Sequence, residues 1–326
     1  MARTDTGRAT IGGHFGLLLT EHDHPPPGRY GFESARAALY ALLRKLGARQ
    51  IHVPAYTCPD VGRACLAAGV EVVPYSLGPD FEPALPDAID DDALVIVTDH
   101  FGLNRVWIDQ ARQRFPAERL VVDNAQAYFA SSGGALAALY SPRKFLPVPD
   151  GGFLETELDV HQGPTDEAAS LRHLALFAQR TGRPPEPSRE AYLTAEARLG
   201  DISERGMSEI TRQLIRCADQ DRIRTIRQAN FDRLAAALGD RNRLALRRED
   251  QTPLVYPLIA EASAAVRQAL QNERVFCPRY WSGLSPTTAF EAALLEQAIF
   301  LPIDHRYGPG DMDRMIDIIL HASETL

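Results

Sequence analysis

Five short apolar runs, each followed by polar residues and most of them separated by helix-length segments, limit what this chain can fold into more than any other feature. They are "IHV" from residue 51, "VEVVPY" from 70, "ALVIV" from 93, "LVV" from 120 and "ALAALY" from 135. Runs this short predict strands, and the helical spacers predict a largely parallel sheet covered on both faces. The segment "SARAALYALLRKL" (34–46) sets Leu39, Leu42, Leu43 and Leu46 on one helical face, with Ser34 as N-cap and Gly47 as stop. In such sheets ligands collect outside the carboxyl ends of the strands. Four of those ends are chemically rich: Pro54 to Asp60, Thr98 to Gly102, Asp123 to Gln126, and Ser141 to Lys144. They are expected to share one rim.

The pattern weakens from about 155 to 205, where "RTGRPPEPSRE" (180–190) reads as a proline-rich surface loop or mobile segment. Between Ser208 and Leu238 the spacing of Ile210, Leu214, Ile223, Ile226, Phe231, Leu234 and Leu238 predicts one long helix or a pair. Beyond it, "PLVYPLI", a helix through "ASAAVRQALQN", "RVFCP", "AIFLPID" and a last helix from Asp311 suggest a small α+β unit. The expected organisation is a large α/β domain (1–205), a bridging helical region (206–240) and a small C-terminal α+β domain (241–326).

The formal charge of −8, with 35 Lys and Arg against 43 acids, argues against a nucleic-acid partner. Four cysteines without C-x-x-C pairs or nearby histidines indicate neither a disulfide framework nor a structural metal. "HDHPPP" (22–27) reads as a loop rather than a metal site. No run approaches the ~18 apolar residues of a membrane span. A cytoplasmic protein without a membrane anchor is expected.

The stretch "YSPRKFLPVPDGGFL" (140–154) holds one lysine between Ser-Pro-Arg and an aromatic, with Gly151-Gly152 just beyond. A lysine that attacks a carbonyl must be held on a fixed backbone and unprotonated for part of its cycle. Lys144 at one strand end and Asp123 at another fit pyridoxal phosphate, which needs an imine-forming lysine and an acid beside its pyridine nitrogen. Its phosphate needs an anion site, which the helix start Ser34-Ala35-Arg36-Ala37 would supply.

With these residues in order, the sequence resembles the DegT/StrS group of sugar aminotransferases, among the fold-type I pyridoxal phosphate enzymes. "FESARAAL" resembles the group's phosphate-binding helix start, "VPAYTCPDVGRACLAAGVEVVPY" its next strand and helix, and "VVDNAQA" its "EDAAQA". "YSPRKFLPVPDGGFL" is similar to the stretch around its lysine, and "FLPIDHRYGPGDMDRMIDII" to its C-terminal segment. The resemblance implies a fold-type I architecture, a mostly parallel sheet between helices with a smaller C-terminal α+β domain. It also implies a homodimer that moves an amino group from glutamate to a nucleotide-linked keto-sugar.

By the same resemblance, Lys144 forms the imine with the cofactor and then moves the proton. Asp123 faces the pyridine nitrogen and Gln126 the phenolic side of the ring. Ser141, with the backbone of Ala35 and Arg36, binds the phosphate. Cys58 stands where many members stack an aromatic, leaving that face to Tyr56 or another group. The serine-to-lysine spacing is compressed, and "RGMSEITR" (205–212) stands in the region of the group's motif that reaches toward the neighbouring subunit. His100 either stacks near the ring or satisfies a strand end. Arg143, beside the lysine, is a candidate for lowering its pKa or binding a substrate phosphate, and equally a surface residue. Arg279, Tyr280 and Trp281 are candidates for holding the donor carboxylate or the sugar. Alternatives are a pyridoxal phosphate enzyme of elimination or sulfur transfer, and a non-catalytic binding or scaffold protein.

Overall fold

The computed structural model describes residues 19–180, 189–246 and 248–324. Most of "RTGRPPEPSRE" therefore lies outside the described residues. In chain order the elements are β1 (Tyr30–Phe32), α1 (Ala35–Leu46), β2 (Gln50–Pro54), α2 (Pro59–Ala67), β3 (Glu71–Tyr75) and β4 (Ala93–Thr98). Next come α3 (Arg105–Arg114), β5 (Leu120–Asn124), β6 (Ala137–Tyr140), β7 (Gly152–Glu155), β8 (Gly163–Thr165), α4 (Glu167–Arg180) and α5 (Arg189–Arg198). The chain continues through β9 (Arg205–Gly206), α6 (Glu209–Arg216), α7 (Gln220–Leu238), β10 (Val255–Leu258), α8 (Ser263–Asn272), α9 (Ala289–Glu296), β11 (Ile299–Pro302) and α10 (Pro309–Glu324).

Among the described residues, nine strands form one sheet in the order β3-β2-β4-β5-β6-β7-β1-β9-β8. The five apolar runs are its strands β2 to β6, all mutually parallel. Alternation along β4 shows why its run carries no polar residue. Leu94 and Ile96 face a core built on α1, whereas Val95 and Val97 face a second core that continues into β10, β11 and α10. β7 and β1 extend the sheet in antiparallel fashion.

Ser34 and Gly47 bound α1 as expected. The Ser34 hydroxyl accepts the Ala37 N–H, and Gly47 adopts the left-handed conformation, φ 62°, that closes the helix. The apolar stripe between Ser208 and Leu238 resolves into a pair of helices, α6 and α7. "RVFCP" adds no strand, so the second sheet is the antiparallel pair β10-β11 alone. No helix among the described residues is long and apolar enough to cross a membrane.

Candidate active site

The four strand-end clusters do meet on one rim. Register sets Thr98 beside Asp123 and Asn124 beside Tyr140. The Asp99 N–H donates to Asp123 O at 3.0 Å, stitching the exits of β4 and β5 together. The Gln126 side chain reaches back, its Oε1 accepting the Phe101 N–H at 3.2 Å. Phe101 and Gly102 both have positive φ, turning the chain sharply at this point.

His100 is fully buried here and spends both ring nitrogens inside the protein. Nε2 lies 2.8 Å from Tyr56 O, a carbonyl that only accepts, so Nε2 carries the proton and Nδ1 accepts from Asn104 Nδ2 at 3.1 Å. Burial pushes its pKa down to about 4, so the ring is neutral at physiological pH. It stacks on Phe81 at 5.5 Å.

Asp123 is buried, and its Oδ1 accepts the Ala125 N–H at 2.9 Å. Desolvation raises its pKa, and the positive charge of Lys144 pulls in the opposite direction. The Thr98 hydroxyl stands beside it, although it makes no hydrogen bond of normal geometry among the described residues. Cys58, at the start of α2, feels both groups. Burial raises its thiol pKa, Lys144 opposes the rise and Asp123 adds to it. Lysine, aspartate and thiol therefore lie within electrostatic reach of one another at this rim, the candidate cleft.

The base of the cleft is made of backbone. Ser34 bridges Gly151, and the backbone of Gly152 passes so close that an added Cβ would lie 2.1 Å from Ala35 N. Gly151 has φ 125°, and a Cβ there would meet the Pro142 ring at 2.9 Å. These glycines bring the start of α1 against the turn that carries Ser141 and Lys144. Gly151 N–H donates to Glu33 O at 2.8 Å in this bridge, and the Ser141 hydroxyl does not cap the turn after it.

Other expected residues point elsewhere. The Arg36 side chain ties α1 to α2, donating from Nη2 to Asp60 Oδ2 at 2.7 Å. Arg143 is turned onto Glu196 of α5, beside His173. In "RGMSEITR", Arg205 is committed to buried Glu33 at 2.9 Å and Arg212 to Gly31 O at 3.2 Å, both within the chain.

Of the C-terminal trio, Arg279 is exposed and reaches Leu295 O. Tyr280 packs on Phe101 at 5.1 Å, and Trp281 meets Tyr56 edge-on at 4.9 Å and His100 at 6.2 Å. The strap carrying them is anchored by Glu291, a buried residue that sequence reasoning missed. Its carboxylate accepts the N–H of Leu77 at 2.8 Å and both the N–H and hydroxyl of Thr287 at 2.6 and 2.7 Å. The Thr288 hydroxyl donates to Leu77 O at 2.7 Å. Phe81 and Asn104 were missed as well, and Asp99, inside the Thr98 to Gly102 strand end, was given no role of its own.

Three observations test whether pyridoxal phosphate suits this cleft. The Gln126 Nε2 is buried without an acceptor, as an amide awaiting an oxygen of a bound ring would be. Asp123 keeps one carboxylate oxygen clear of backbone donors, and the glycine-lined base sets the start of α1, the end of a helix that favours an anion, against the turn carrying Ser141 and Lys144. The residues fit the group.

No family model matches the chain, and no curated protein matches its sequence. Solved structures do. PseC of Helicobacter pylori, an aminotransferase of pseudoaminic acid biosynthesis, matches with a TM-score of 0.64 at 14% identity, over 91% of this chain and 86% of its own. The fold is that of an aminotransferase. A DegT DnrJ EryC1 StrS aminotransferase from Brucella abortus matches with a TM-score of 0.61 at 16% identity, over 90% of this chain and 85% of its own. The sugar aminotransferase CalS13 from Micromonospora echinospora gives 0.61 at 14% identity, over 89% and 86%. The expected fold-type I architecture, a mostly parallel sheet flanked by helices, is thus the one these enzymes share.

Proposed function

We propose that this chain is a pyridoxal phosphate-dependent aminotransferase that transfers an amino group from glutamate to a nucleotide-linked keto-sugar, acting as a homodimer. The observation that carries the reading is that Lys144 and Asp123 stand near one another at the carboxyl rim of the sheet: the Lys144 charge acts on Asp123, and both act on Cys58. Bound there, pyridoxal phosphate supplies an electron sink for negative charge developing at the carbon that bears the amino group.

The protein's own groups divide the remaining work. Lys144 Nζ would hold the cofactor covalently and, once freed, would move a proton to and from the substrate carbon. The Asp123 carboxylate would serve the pyridine nitrogen and Gln126 Nε2 the phenolic oxygen. The helix start at Ala35 and Arg36, with the Ser141 hydroxyl, would receive the phosphate at the positive end of α1. Cys58 and Tyr56 would wall the ring, with His100 Nε2 bonded to Tyr56 O. Tyr280 and Trp281 would offer aromatic surface to the sugar.

The test is direct. Purified protein incubated with pyridoxal phosphate and reduced with borohydride should carry the cofactor's added mass on the peptide containing Lys144, and Lys144→Ala should carry none. Glutamate should convert the bound aldehyde form to its amine form, and a nucleotide-linked keto-sugar should reverse the change. A wild type that takes up no cofactor sinks the proposal. Uptake without conversion by glutamate points instead to elimination or sulfur transfer.

A further inference from the structure

The β5-β6 ladder ends at Asn124 and Tyr140, just before the turns that carry Gln126 and Lys144. Beyond that point the two turns are joined by rings. Phe145, the residue after Lys144, lies 5.9 Å from Tyr128 and 5.5 Å from Phe129, and those two rings are 5.1 Å apart. The Lys144 turn itself is closed by local backbone bonds, Lys144 N–H to Ser141 O at 3.3 Å and Phe145 N–H to Pro142 O at 2.9 Å.

Over this cluster stands Arg227 of α7, its Cζ 4.7 Å from the centre of the Phe145 ring. Arg227 occupies a core position in the helix stripe, between Ile223 and Phe231, and is 2% exposed. It makes no salt bridge among the described residues. Its Nη1 donates to the carbonyls of Pro253 and Leu254 at 3.4 and 3.0 Å, and its Nε has no partner. Asp304, whose charge it feels, is already held by Arg306 at 2.6 and 2.9 Å. A buried cation without a carboxylate is uncommon, and desolvation is the condition under which attraction to a ring face is strongest.

We infer that Arg227 is a positioning residue: by holding the Phe145 ring against Tyr128 and Phe129, it fixes the Lys144 turn relative to the Asp123–Gln126 turn. It also ties both turns to the segment that leads into β10. Arg224, one turn earlier on α7, lies 5.8 Å over Phe129 but is exposed, so its hold is weaker. The inference rests on assigning both turns to one cofactor, as proposed above.

Hydrogen exchange on the full chain as purified provides the test. Arg227→Met should speed amide exchange about tenfold in residues 124–130 and 141–147 while leaving α1 unchanged, and Arg227→Lys should recover much of the protection. Arg224→Gln should change exchange less than about twofold. With saturating cofactor, Arg227→Met should lower kcat about tenfold at nearly constant KM, because geometry rather than binding is lost. Phe145→Leu, which keeps the core filled, should reproduce the exchange pattern if the arginine variant does not fold. Unchanged exchange in both turns, or loosening confined to α7 and residues 253–254, overturns the inference. Because exchange does not depend on turnover, it stands or falls separately from the cofactor assignment.

Discussion

Asp99 is fully buried between the exits of β4 and β5. Its Oδ1 accepts the Asn104 N–H at 2.9 Å, and its Oδ2 has no partner. Burial raises its pKa from 3.8 to about 6, against the opposing pull of the Asn104 N–H and of Arg105. The folded protein therefore holds this proton more tightly than the unfolded chain does. Stability falls as pH rises from about 4 to about 6, and the whole loss, about 3 kcal/mol, is present above that window. Asp99→Asn retains the acceptor for Asn104 and removes the titration. Urea unfolding of the two proteins should show their stabilities diverging by about 3 kcal/mol in favour of the variant between about pH 4 and about pH 7.5. Asp123, also raised by burial, is common to both proteins, and its charge adds to the rise at Asp99. A stability difference of the same size at both pH values would refute the reasoning, because it would mean that no proton is bound at Asp99 on folding.

Gly152→Ala should destabilise the protein by about 3 kcal/mol or more, since the new Cβ would lie 2.1 Å from the Ser34–Ala35 backbone; Gly62→Ala, where nothing lies within 4 Å, should raise stability by up to about 1 kcal/mol in the same thermal melts. Glu291→Ala leaves the Leu77 and Thr287 donors without their acceptor, and should lose roughly 3 kcal/mol by denaturant titration, with faster amide exchange at Leu77. Asp123→Asn should still be trapped on Lys144 by borohydride while amine transfer slows about 10²-fold or more, as read in stopped-flow half-reactions.

Much of the sheet was legible because burial on both faces keeps the middle of β4, β5 and β6 apolar, and that signature survives in a single sequence. β1 and β7 were not, because three and four residues carry too little periodicity to separate from loop. "RVFCP" misled for the converse reason: Val275 and Cys277 pack against the core without a ladder partner. At the site, Lys144 and Asp123 could be read from their strand-end positions. The pairing of Arg143 with Glu196 could not, since the partner lies 53 residues away on a helix with no marked apolar stripe. Nor could the two hydrogen bonds that settle the tautomer of His100. Arg227 left a trace, a charged residue at a core position of an apolar stripe, which is a signal worth reading in its own right.

The Glu291 carboxylate welds the start of α9 to the chain leaving β3, so those two pieces travel as one. Any widening of the mouth beside Tyr56 that spares this weld must be absorbed by the short piece just before it, where Trp281 and Gly283 already sit at φ 58° and 107°. The left-handed turn and the aromatic cover of Tyr56 are then neighbours in the same few residues, so a swing of the Trp281 indole leaves the weld undisturbed.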